Sequence, residues 1–297
     1  MTQPSFKRTS RQRAALFNRA QQAENKGNSD TRDLWERFRI HRYWVTAEIL
    51  GLAPAQNDAG GGRLCLLGAG NANDLDLDML AARFDEVHLV DIDRSALDRA
   101  MGRQSPSVRA KLYIHAPVDL SGLYHLLERT ADLPSADALV NAGTADVIRQ
   151  LPGDFDVVAS CCVASQMSWA IGHLASPDPV LVPMLEQSLL RIHLRTMLRL
   201  IRPTGAALLV SDLTSSLFYP PLDEIAPDAD LRALTHELAE AYLAYTVCNP
   251  ILVRQILRRD EELAATCELP AVGDPWLWAG PKGLTYLVYP FVLRRKV

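Results

Sequence analysis

Apolar positions in this chain fall into short continuous runs separated by stretches of helical spacing. Leu64 to Leu67 is such a run and breaks into the turn Gly68-Ala69-Gly70. From Leu75 onward the spacing becomes helical, and Glu86 to Asp91 forms a second apolar strand with an acid at its end. Further runs at 111–116, 155–161 and 205–211 alternate with helical segments. Strands that alternate with helices predict a parallel sheet with right-handed crossovers. The C-terminal segment differs. Trp276-Leu277-Trp278 and Thr285 to Leu293 are separated only by Gly280-Pro281-Lys282-Gly283, which predicts an antiparallel hairpin.

Residues 1–30 are polar and basic and read as a loose arm leading into a helix. Residues 31–51 place Leu34, Phe38, His41, Trp44, Val45 and Ile49 at helical spacing, predicting an amphipathic helix ahead of the sheet. Asp58 to Gly62 is a hinge, so the chain divides into an arm and helical lid at 1–59 and a main domain at 60–297. The segment from Ser121 to Gly153 reads as helical and is expected to cover one side of any site. The charged run from Arg254 to Glu262 reads as a solvated helix face.

The order strand, glycine turn, helix, strand, acid is a physical recipe for holding a nucleoside. Glycines let the backbone approach the ligand, and a carboxylate at the end of the next strand accepts hydrogen bonds from ribose hydroxyls. Asp91 stands 21 residues after Gly70. A tight strand-to-helix turn also needs glycine for steric reasons alone, whatever it binds. The turn continues Asn71-Ala72-Asn73-Asp74, and an Asp there repels phosphate where a helix N-terminus would otherwise attract it. A ligand with an amine or sulfonium and no phosphate suits it better.

Composition narrows this further. The 297 residues, 48% hydrophobic and 22% charged, suffice for a large core. A net charge of −4 gives no electrostatic reason to expect a nucleic-acid partner. No apolar run approaches the roughly 20 residues that cross a bilayer, and no secretory signal is present, so no membrane partner is expected. The five cysteines lack zinc-ligand spacing, and no metal site is expected. The chain reads as a reduced cytoplasmic protein, and a homodimer is compatible with it.

Five parallel strands, a closing hairpin and the glycine turn after strand one resemble the class I S-adenosylmethionine-dependent methyltransferases over about residues 60–295. The resemblance implies an α/β fold, a Rossmann-like seven-stranded methyltransferase sheet, mostly parallel, with a C-terminal antiparallel hairpin and an N-terminal helical lid. It implies S-adenosylmethionine as cofactor, with Gly68, Ala69, Gly70 and Asn73 at its methionyl end. It also places Asp91 on the ribose, Ile92 against adenine and Asp119-Leu120 near the adenine amine. Cys161 and Cys162 then border cofactor and acceptor. The exit of strand four lacks an Asn-Pro-Pro-Tyr motif and an acid, which weakens the case for methylation of bases or protein amides.

Tyr43 and Trp44 on the predicted lid helix, Trp169 and Tyr219 are candidates to face the sulfonium, though each can equally pack a core. Ser165 and Gln166 can orient a substrate amine or hydroxyl, and Ser165 can equally cap a helix. His173 is a candidate base that fits a loop or helix end as well, and Asp212 sits at the sheet's carboxyl edge or caps a turn. The expected activity is methyl transfer to a small-molecule nucleophile. The alternative is the chemistry of azetidine-2-carboxylate synthases, which resemble these enzymes but cyclise S-adenosylmethionine alone and release methylthioadenosine. A catalytically silent binder of the cofactor is a third option.

Overall fold

The computed structural model describes residues 16–55, 61–130, 133–174 and 181–296. Helices α1 (Leu16–Thr31) and α2 (Arg39–Gly51) precede β1 (Arg63–Leu67). There follow α3 (Leu77–Arg83), β2 (Glu86–Val90), α4 (Arg94–Gly102), α5 (Pro106–Arg109) and β3 (Leu112–His115). Next come α6 (Tyr124–Arg129), α7 (Ala136–Ile148), β4 (Phe155–Cys161), α8 (Val163–Leu174), α9 (Leu181–Leu200) and β5 (Ile201–Ser215). The chain ends with α10 (Leu231–Glu240), α11 (Pro250–Arg259), α12 (Glu261–Thr266), β6 (Trp276–Ala279) and β7 (Thr285–Arg294).

The strands form one seven-stranded sheet in the order β3-β2-β1-β4-β5-β7-β6. β1 to β5 run parallel, and β7 joins β5 and β6 antiparallel, as the sequence pattern predicts. A parallel sheet is covered on both faces, so its strands read as continuous apolar runs. Successive residues nonetheless enter opposite cores. Leu64 and Leu66 pack with α2, α3 and α4 on one face, whereas Cys65 and Leu67 pack with α1 and α6 to α9 on the other. β5 is longer than the predicted 205–211, because pairing with β7 extends it to Ser215.

Two N-terminal expectations need correction. Residues 16–31 are a helix and not a loose arm: Leu16 and Ala20 are buried in the core on the α6–α9 face. The helix predicted at 31–51 begins only at Arg39. Residues 32–38 are turns held by Arg42, which donates to the Trp35 carbonyl at 2.7 Å and stacks on its ring. α2 belongs to the opposite core, with Val45 and Ile49 fully buried. The segment between α1 and α2 therefore crosses from one face of the sheet to the other, over its edge. The proposed domain boundary at 59/60 lies outside the described residues, as does most of the predicted hinge.

The charged run 254–262 is not simply a solvated face. Asp260 is buried and takes Arg191 at 2.6 Å and Arg195 at 2.9 Å, both from α9, while Glu262 takes Arg199 at 2.6 Å. Asp260 also accepts from the Leu263 amide and so caps α12. These bonds hold its carboxyl below the usual carboxylate range against the opposing effect of burial. Asp260→Ala would leave Arg191 with Asp137 and Arg195 with Glu262 as acidic partners and would uncap α12, and is expected to cost about 2–4 kcal/mol. A lowered denaturant midpoint would register this, and a midpoint within error of wild type would refute it.

Candidate functional site

The sheet order reverses between β1 and β4, and a crevice opens outside their carboxyl ends, where open α/β sheets bind ligands. Here the two strand ends approach closely. Gly68 has φ +72°, and a Cβ on it would lie 2.1 Å from the Val163 Cγ2 atom. Only glycine fits, since a side chain would meet both a strained backbone and the first residue of α8. The Gly68 and Ala69 amides donate to the Val90 carbonyl, which fixes the turn against the end of β2. Asp91 is then gripped from both sides. Its Oδ2 accepts the Gly70 amide at 2.8 Å and its Oδ1 the Asp93 amide at 2.8 Å. Burial nevertheless pushes its carboxyl up to about 6.

The cleft that starts at this turn has a volume of about 1210 Å³. Gly68, Ala69, Gly70, Asn73 and Asp91 line it at one end. Cys161, Cys162, Ser165, Gln166 and Trp169 line it at the exit of β4. Cys162 adopts φ +53°, which turns the chain out of β4 and into α8. The Ser165 hydroxyl donates to Asp212 Oδ1 at 2.7 Å and lies 3.1 Å from the Cys162 carbonyl oxygen. Trp169 is exposed at the rim.

Four of the expected site residues lie elsewhere. Tyr43 is 65% exposed on the outer side of α2 and contacts Trp44, so it does not reach the cleft. Asp119 is buried beneath the site. Its carboxylate accepts the Ser121 amide and hydroxyl and the Tyr124 amide, capping the start of α6. Leu120 is buried with it, and Ile92 is covered by α1, whose Gln21 Nε2 donates to the Ile92 carbonyl at 3.0 Å. Of the other candidates, Tyr219 packs against the core, and the side chain of His173 lies outside the described residues. No described residue of 121–153 lines the cleft; α1 and the segment after it take the covering role expected of that stretch.

α1 contributes a polar stripe at helical spacing. Asn28 Nδ2 donates to Asp93, and the Asn71 and Asn73 side chains donate to the carbonyls of Asn28 and Thr31. These bonds end α1 directly over the glycine turn. Glu24 on the same stripe is pushed up to about 7, by burial first and then by Asp91 and Asp93. Such a stripe at positions 21, 24 and 28 is the signal that would have revealed this helix.

Sequence reasoning also missed the wall opposite the turn. His41 is buried and neutral, with burial pushing it down to about 3. It accepts the Trp276 indole N–H at 3.0 Å and stacks on Trp278 at 4.2 Å. That stack holds Trp278 against Tyr286 along the cleft. Tyr245 enters from the segment between β5 and α11 and is fixed by a 2.9 Å hydrogen bond to Ser215. The pairing register of β5 with β7 slips by one after Asp212, so Asp212, Thr214 and Ser215 all line the cleft.

No family model matches this sequence, and no curated protein matches it. Solved structures resemble it at a distance. An S-adenosylmethionine-dependent methyltransferase from Aquifex aeolicus is 13% identical over 92% of this chain and 97% of that one, with a TM-score of 0.41. Magnesium protoporphyrin IX methyltransferase from Synechocystis PCC 6803, with bound S-adenosylhomocysteine, is 12% identical over 88% and 83%, with a TM-score of 0.40. A TehB-like S-adenosylmethionine-dependent methyltransferase from Corynebacterium glutamicum ATCC 13032 Kitasato is 14% identical over 80% and 83%, with a TM-score of 0.36. Among the described residues no helix is long and apolar enough to cross a membrane.

The electrostatic character of the cleft is acidic. Burial pushes Asp74 and Asp212 each up to about 7. A carboxyl raised in this way binds its proton more tightly in the folded chain than in the unfolded one. Its contribution therefore favours the fold at low pH and is lost as pH rises from about 4 through about 7. Asn at position 212 carries no such proton. Asp212→Asn is expected to gain stability relative to wild type across that interval, by an amount on the order of 2–4 kcal/mol. Chemical denaturation at matched pH reads the difference, and a constant offset between the two proteins would contradict it.

Proposed function

We propose that this chain is an S-adenosylmethionine-dependent methyltransferase acting on a small-molecule nucleophile. The observation that carries the reading is the grip on Asp91 beside the glycine turn at the switch point of the sheet. Both carboxylate oxygens are oriented by backbone amides, and the group lines the cleft, where it can accept from vicinal hydroxyls. Asp74 beside the turn disfavours phosphate and suits a cationic ligand. When bound, S-adenosylmethionine supplies a methyl group on a sulfonium that departs as a neutral thioether and needs little acid–base assistance.

The chain's own task is then alignment and exclusion of water. α1 and the 31–38 segment close over the turn, and Phe38 and Trp278 wall off the centre of the cleft. The cleft volume of about 1210 Å³ exceeds the range of about 300–1,000 Å³ usual for one small ligand. Room for a second molecule favours transfer over intramolecular ring closure. Ser165, Gln166 and Trp169, on the first turns of α8, are placed to orient that acceptor.

Asp91→Asn keeps an oxygen for one of the two backbone amides, turns its NH2 group toward the other, and loses the charge. It is expected to weaken S-adenosylmethionine binding by about 1.5–3 kcal/mol, which calorimetry measures directly. Wild-type protein that does not bind S-adenosylmethionine would overturn the reading. Enzymatic release of methylthioadenosine from the cofactor alone would replace transfer by cyclisation.

A further inference from the structure

The far lobe of the cleft, beyond the glycine turn, combines three features. Among the described residues, its carboxylates have no cationic side-chain partner. Six acidic residues line the whole cleft against two lysines, and one of these, Lys26, is engaged with Asp30 at 2.5 Å. The second, Lys282, belongs to the turn between β6 and β7. Asp212 is buried, and among the described residues its side chain takes one hydrogen bond, from the neutral hydroxyl of Ser165. Glu186 on α9 is likewise held by a hydroxyl, from Ser168.

Aromatic rings line the same cleft, and Tyr245 and Tyr286 lie close enough to Asp212 to interact with it electrostatically. Trp278 and Tyr286 lie 5.0 Å apart on one side, and Phe218 and Tyr245 lie edge to face at 5.2 Å on another. Their faces and the carboxylates together form a surface for a cation with apolar substituents. Two buried polar atoms in the wall are also unpartnered, Thr214 Oγ1 and Trp278 Nε1, with their residues 1% and 8% exposed. Buried polar groups are rarely left unsatisfied, so these two mark a wall whose hydrogen bonding is incomplete.

We propose that the acceptor held in this lobe is an organic amine, bound as its ammonium by Asp212 and Glu186 between Trp278, Tyr286 and Tyr245. This rests on the methyltransferase reading and deepens it by naming the acceptor class. An unpaired carboxylate in a dry wall is unfavourable to the empty protein, and the elevation of Asp212 to about 7 reflects that penalty. A bound ammonium relieves it. Asp212 then has a second role. One proton passes from the ammonium nitrogen to the carboxylate, leaving a neutral amine with a free lone pair and a neutral carboxylic acid. An alcohol in the same lobe would gain no charge pairing, and a carboxylate would be repelled.

Matched probes test this. Full-length protein is titrated with phenethylamine, phenethyl alcohol and 3-phenylpropanoate, with and without saturating S-adenosylhomocysteine, and binding is read by calorimetry. The ammonium is expected to bind at least about tenfold more tightly than the alcohol, with no measurable binding of the carboxylate. Asp212→Asn is expected to erase the preference while S-adenosylhomocysteine affinity stays within about twofold. Glu186→Gln is expected to reduce the preference and serves if the first variant does not fold. Equal binding of ammonium and alcohol, preference for the carboxylate, or a preference that survives both substitutions would overturn the inference. Failure of S-adenosylhomocysteine to bind would instead overturn the cofactor assignment. The titrations without it would still decide whether the lobe selects a cation.

Discussion

The close approach of the β1 and β4 ends is the constraint on which the site depends. Gly68 has no side chain where Val163 packs, so the two strands can discharge their turns into one crevice. The left-handed backbone at Gly68 sends the chain across the end of β2 and brings the Gly70 amide onto Asp91. The left-handed Cys162 on the neighbouring strand does the corresponding work on the other side. It starts α8 so that Ser165 reaches across to β5 and Asp212. A side chain at position 68 would separate these halves, and neither the Asp91 end nor the Asp212 end of the cleft would keep its geometry.

How much of this could be read from the sequence depended on the range of the interactions. The parallel strands, the hairpin, the glycine turn and Asp91 follow from local patterns, because buried parallel strands and tight turns impose their composition over a few residues. Helix α1 did not show itself, since only Leu16 and Ala20 are buried in the core and its inward face is polar. Asp119 misled for a related reason. An acid after the third strand can meet a ligand or cap a helix, and here Ser121 and Tyr124 claim it. The aromatic wall could not be seen, because Tyr245, Trp278 and Tyr286 converge only through the pairing of β5, β7 and β6. Asp260 looked solvated because its arginine partners lie 65 and 69 residues away.

α1 gives the site its closed character. It is anchored in the core by its apolar side and ends over the glycine turn by donating none of its own side chains to the turn backbone. Instead, Asn71 and Asn73 of the turn reach up to its terminal carbonyls. Hydrogen bonds to the unsatisfied carbonyls of a helix end satisfy groups that water would otherwise take. The cover and the turn are thus one structure, and Glu24 brings a third carboxyl to Asp91 and Asp93. A ligand with hydroxyl donors at this end would separate these acids by giving each a hydrogen to accept.

Two buried aspartates differ in how their charge is met. Asp260 and Asp212 are 4% and 5% exposed, so burial alone does not distinguish them. Asp260 has two arginines and a helix amide, its carboxyl is held low, and it stabilises the charged form at the junction of α9 and α12. Asp212 has a serine hydroxyl and no side-chain cation, and its carboxyl is held high. The chain contains 31 lysines and arginines, so this difference is not a shortage of cations. A buried carboxylate left without a partner at the wall of a cleft is destabilising in the free protein. Among the described residues no cation offsets it, and a ligand cation with an apolar body fits both the charge and the rings lining the cleft.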